Sequence, residues 1–128
     1  MKLKILIGVF VLVAIGTIYY FIPKKISVSK VKIQCNYMAY ACGDCYPQYR
    51  VNEILEGNNN EVDKILNTEL IVEFEDKKME QEMDKNTAKC VICYNFTFTG
   101  DLKYSKSKGK YFVAQTVDYQ LKNDSCCK

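Results

Sequence analysis

Val91–Leu102, VICYNFTFTGDL, is the stretch on which the fold turns. Tyr94, Phe96 and Phe98 alternate strictly with Asn95, Thr97 and Thr99. Successive side chains of a strand point to opposite faces, so three aromatic rings fall on one side and three small polar groups on the other. Aromatic and β-branched residues also suit a pleated, half-buried surface. A strand over Val91–Leu102 is expected, with its aromatic side on a core.

The chain after it reads as the return arm of a hairpin. Lys103–Lys110, KYSKSKGK, is a basic turn. YFVAQTVDYQL follows, and strict alternation puts Tyr111, Val113, Val117, Tyr119 and Leu121 on one face. The two runs predict a long antiparallel hairpin ending in a short polar tail, NDSCCK.

The chain before it carries three more strand signals. Glu69–Glu75 places Leu70, Val72 and Phe74 inward and Glu73 and Glu75 outward. Tyr49, Val51, Glu53 and Leu55 share one side of an earlier strand, with Arg50, Asn52 and Ile54 on the other. Ile26–Lys32, ISVSKVK, alternates as well and runs into a tyrosine-dense segment. Gly43-Asp44 and Pro47 mark a turn there, and Gly57-Asn58-Asn59-Asn60 is a loop. Val62, Ile65 and Leu66 fit one helical turn. Asp76–Lys89 is charged, and Met79 and Met83, four apart, suggest a short surface helix or a loop.

Ile5–Ile22, ILIGVFVLVAIGTIYYFI, is of another kind. About 18 residues at 1.5 Å each cover roughly 27 Å, close to the ~30 Å thickness of a bilayer's hydrocarbon core. No charge interrupts the run. Tyr19, Tyr20 and Phe21 cluster at one end, where an interfacial aromatic belt belongs, and Pro23, Lys24 and Lys25 follow. A cleaved signal peptide would need small residues after the apolar run, and bulky YYFIPKK stands there instead. An uncleaved anchor is expected. The short N-terminal tail favours that end inside and the rest of the chain outside, in the periplasm or at the cell surface. The expected division is an anchor over 1–25, a tether or first strand over 26–34, and a small β domain over 35–128 with a cysteine-bearing tail.

Composition narrows the chemistry. The chain of 128 residues has a formal net charge of +3 and no histidine. Lysines and carboxylates are interspersed, so no nucleic-acid partner is expected. Without histidine there is no Ser-His or Cys-His catalysis and no His-containing metal site. No catalytic residue, metal or cofactor is assigned. The carboxylates Glu69, Glu73, Glu75 and Asp76 read as the solvated side of a strand.

Seven cysteines are many for so small a domain: Cys35, Cys42, Cys45, Cys90, Cys93, Cys126 and Cys127. Outside the cytoplasm all are disulfide candidates, and their odd number leaves one over. Cys42-Gly43-Asp44-Cys45 also has the spacing of a redox-active pair. However, a strand pattern follows it rather than a helix, and a structural disulfide fits better. Cys90-Val91-Ile92-Cys93 is the second such spacing. In a strand these two cysteines would face opposite ways, which opposes a zinc knuckle and favours separate partners.

The order of elements resembles an OB-fold: a long first strand, a middle strand, a helical connection and a closing hairpin. The resemblance covers roughly Cys35–Leu121 and is one of pattern. It implies a mainly β domain, a small antiparallel OB-like barrel or meander with one short helix, and it implies no activity. The expected function is non-enzymatic: a membrane-tethered domain that binds a protein or an envelope component, with toxin neutralisation as one form of it. The expected binding surface is Tyr37, Tyr40, Tyr46 and Tyr49 with Lys106, Lys108 and Lys110 of the basic turn. The rival is a thiol-disulfide oxidoreductase or redox sensor using Cys42 and Cys45.

Overall fold

The computed structural model describes residues 2–21, 27–39, 48–123 and 125. An N-terminal helix, α1 (Lys2–Phe21), precedes five strands: β1 (Ser27–Met38), β2 (Gln48–Glu56), β3 (Glu69–Phe74), β4 (Tyr94–Ser105) and β5 (Gly109–Leu121). A single turn, α2 (Asn60–Asp63), and an eleven-residue helix, α3 (Lys77–Thr87), flank β3. Helix α1 is long and apolar enough to cross a membrane, and its side chains over 2–20 are exposed.

The strands close into one ring in the order β1-β2-β3-β5-β4. Strand β1 pairs with both β2 and β4, so the twelve-residue first strand belongs to the whole circuit. Helix α3 connects β3 to β4, and β4–β5 is the closing hairpin. This is the mainly β arrangement with a short helix that the sequence pattern implies. Two features set it apart from the antiparallel meander that is the alternative expectation. The order is not a meander, because β3 neighbours β5 rather than β4. That pairing is also parallel, from Ile71 beside Tyr111 to Phe74 beside Ala114. A helical crossover between β3 and β4 lets the later strand return in the same direction.

Inside the ring, Val31, Ile33, Cys35, Val51, Phe96, Phe98, Leu102, Phe112 and Ala114 are fully buried. Tyr49, Leu70 and Val72 join them, and Val62 of α2 and Ile65 just after it close the core. The expected inward faces of β3 and β4 are thus the observed ones. Leu66, expected on the α2 face, is 43% exposed.

Three corrections concern phase. On β5, Phe112 and Ala114 face inward, not Tyr111 and Val113. The register jumps between Thr99/Thr116 and Gly100/Ala114, so Gln115 is an extra residue. Such a bulge turns everything beyond it by one face. Val117 and Tyr119 therefore pack on the core as expected, while the two residues before the bulge do not. Strand β2 behaves likewise. Its register against β1 skips Asn52 and Leu55, so Ile54 packs inward and Leu55 is 44% exposed.

The third correction is at Val91–Cys93, which forms a 3-10 turn rather than the start of the strand. The Cys93 amide donates to the Cys90 carbonyl at 2.8 Å, and the strand begins at Tyr94. The hairpin tip is also shorter than KYSKSKGK. Lys103 to Ser105 remain in β4, and Lys106-Ser107-Lys108 alone turn the chain before Gly109, whose φ is +69°.

Candidate binding groove

Helix α3 forms because Asp76 caps it. The Asp76 carboxylate accepts the Lys78 amide at 2.9 Å, satisfying one of the open donors of the first turn. Met83 and Thr87 are buried and hold the helix on the ring, and the Thr87 hydroxyl donates to the Met83 carbonyl at 2.9 Å. The Asn86 amide adds a bond to the Tyr119 hydroxyl at 2.6 Å. Lys77, Glu80, Asp84 and Thr87 are three or four apart and so share one helix face.

That face borders a groove of about 650 Å³. Its opposite wall is Ile71–Phe74 of β3, and its floor includes Tyr37 and Tyr49. Val91 and Ala88 close one end. The floor is rooted in the core. Tyr49 lies edge-on to Tyr37 at 5.4 Å, to Phe96 at 5.4 Å and to Phe98 at 5.0 Å, while Phe74 meets Phe98 at 5.8 Å. Such pairs prefer this edge-to-face geometry, so the floor is held in place from beneath.

The rim is polar and mainly acidic, with Glu73, Glu80 and Asp84 against Lys77. Glu73 is ion-paired with Lys108 of the hairpin. Desolvation lifts the Asp84 carboxyl above its ordinary range. The Tyr49 phenol is raised too, chiefly by burial and then by the nearby Asp84, Tyr37, Cys35 and Glu80. Tyr49 therefore stays a neutral phenol at the base of an acidic rim.

The expected site residues are dispersed. Tyr37 is half-buried at the groove. Tyr49 is 3% exposed and joins the core, its ring forming part of the groove floor. Tyr40, Tyr46, Cys42, Cys45, Cys126 and Cys127 lie outside the described residues. Lys106 is exposed at the hairpin tip. Lys108 pairs with Glu73 and stands 5.2 Å from the centre of the Tyr111 ring. Lys110 reaches Glu61 at 3.5 Å. Two of the three expected contact lysines thus already have partners within the fold.

Cys35, expected among the disulfide candidates, is a free thiol in the core, and burial pushes its pKa up to about 12. Neither Cys90 nor Cys93 is a free thiol. Among the described residues, no group of three or more His, Cys, Asp or Glu is placed to hold a metal.

Sequence reasoning missed the acidic helix face and the β3 wall. The spacing of Met79 and Met83 signals the helix, but nothing local signals that Glu80 and Asp84 would stand over Tyr37. No protein-family model matches the chain, and no curated protein or solved structure matches it significantly.

Proposed function

We propose that this chain is a non-enzymatic, membrane-tethered binding module. Helix α1 crosses the bilayer, and the ring of strands stands on its outer side. The α3 groove takes a polypeptide segment with an apolar side chain next to lysine or arginine. The observation that carries this reading is the groove itself: an aromatic floor fixed by the core, under a rim where Glu80 and Asp84 outnumber Lys77. Apolar contact supplies affinity in such a site, and the rim charges select the partner's sign.

Disulfides belong to the same reading. Cys90 and Cys93 bracket a tight turn and are not free thiols. The backbone of Lys122 donates to the Cys93 carbonyl at 2.8 Å, which brings the start of the C-terminal tail to that turn. Cys126 and Cys127 follow a few residues later. Bridges to the tail would brace the groove end of the ring, as suits an oxidising compartment. Among the described cysteines, buried Cys35 is the free thiol.

The test uses the full chain in discs of zwitterionic lipid and two peptide sets, each with a central leucine or phenylalanine flanked by lysines or by glutamates. Lysine-flanked peptides are expected to bind at least about ten-fold tighter, a difference of ~1.4 kcal/mol. Asp84→Asn with Glu80→Gln is expected to abolish that preference. Equal binding of both sets, or an unchanged preference in the variant, would refute the groove as the site.

A further inference from the structure

The first residue of β1 and the basic hairpin are neighbours. Ser27 pairs with Lys103, near the end of β4, and paired strands run about 5 Å apart. Beyond Lys103 come Tyr104, which is 42% exposed, and Lys106, which is exposed. Lys30 is also exposed, on β1 where the register against β4 shifts. Only residues 22–26 separate Ser27 from the last residue of α1, and two of them are lysines, Lys24 and Lys25. Even fully extended, that connection reaches no more than ~22 Å. The hairpin is therefore held close to the end of α1.

We propose that the Lys103–Lys110 hairpin docks on the anionic phospholipid headgroups of the bilayer that holds α1. The inference rests on α1 spanning that bilayer. Lys108 and Lys110 turn toward Glu73 and Glu61. Lys103 and Lys106 are the headgroup contacts, with Lys30 beside them. Tyr104, between Lys103 and Lys106 in sequence, has a ring that suits the interface, apolar in body and polar at its tip. Lysines near an anionic surface are attracted within about a Debye length, which is roughly 8 Å in physiological salt.

The test places the full chain in discs of phosphatidylcholine, or of phosphatidylcholine with phosphatidylglycerol. Acetylation of each lysine by an uncharged reagent is followed by mass spectrometry. In anionic discs Lys103 and Lys106 are expected to react about five-fold more slowly, and high salt is expected to remove the difference. Lys78 and Lys85 on α3 are expected to react equally in both discs. Equal rates at Lys103 and Lys106 in chain that co-elutes with the discs overturn this inference and leave the anchor standing. Chain that does not co-elute overturns both. Inorganic phosphate added to phosphatidylcholine discs separates a lipid surface from a lone phosphate site. Protection under that condition would overturn the membrane assignment.

Discussion

Gly100 on β4 and Val113 on β5 meet backbone to backbone. A β-carbon on Gly100 would overlap the Val113 carbonyl oxygen and lie 3.1 Å from the Ala114 α-carbon. The contact sits at the bulge that re-phases β5. Glycine is needed here for the absence of a side chain, because two backbones cross with no room between them. Gly100→Ala is expected to destabilise the domain by about 3 kcal/mol, since the obstructing atoms are main chain and cannot swing aside. Urea unfolding of the purified chain measures it. A loss below about 0.5 kcal/mol would show that the bulge relaxes freely.

Burial of Cys35 gives the domain a pH dependence at alkaline pH. Unfolded, the thiol loses its proton near its ordinary value of 9.0; folded, it keeps it to about 12. Between those values the native state holds the extra proton, so stability falls as pH rises, by up to ~1.4 kcal/mol per pH unit. Below pH 9 the effect is absent. Tyr49 adds a fall of the same sign above its ordinary value of 10.0. Denaturation midpoints at pH 7, 9 and 10 are expected to decline, with a shallower decline in Cys35→Ala. A midpoint flat to pH 10 in the parent chain would contradict the buried, protonated thiol.

Asp76 decides whether the acidic wall of the groove is formed. Asp76→Ala removes the cap on α3 and is expected to cost about 1 kcal/mol. Amide exchange is the sharper readout. Protection is expected to fall first at the beginning of α3, while Phe96 and Phe98 in β4 keep theirs. Uniform loss across helix and strands would mean that the helix does not open separately.

The Lys108–Glu73 pair invites overestimation. It spans hairpin and β3, but the two side chains are 29% and 41% exposed. Water screens such pairs, and Lys108→Ala is expected to cost less than about 1 kcal/mol. Phe98→Ala is expected to cost roughly 3–5 kcal/mol, since the ring is fully buried and meets Tyr49 and Phe74. Thermal unfolding of the two variants side by side checks the order. The reverse order would place the domain's stability in its surface charges.

What the sequence determined by itself was whatever a single segment can encode. The charge-free run Ile5–Ile22 contains its own reading, because length and apolarity alone set whether a helix matches a bilayer. Tyr94–Thr99 and Leu70–Phe74 show their inward faces because neither carries an extra residue there, and period-two alternation then suffices. The tertiary structure alone decided the rest. The extra residues at Asn52, Leu55 and Gln115 exist only relative to a partner strand, and they moved Ile54, Phe112 and Ala114 inward. Burial of Tyr49 and isolation of Cys35 followed from closing the ring over them. The groove arose in the same way, since β3 reaches Tyr37 only through β2, with Leu70 beside Tyr49 and Tyr49 beside Tyr37. Alternation records which side of its own strand a residue occupies. Which side becomes the interior is settled when the strands pair.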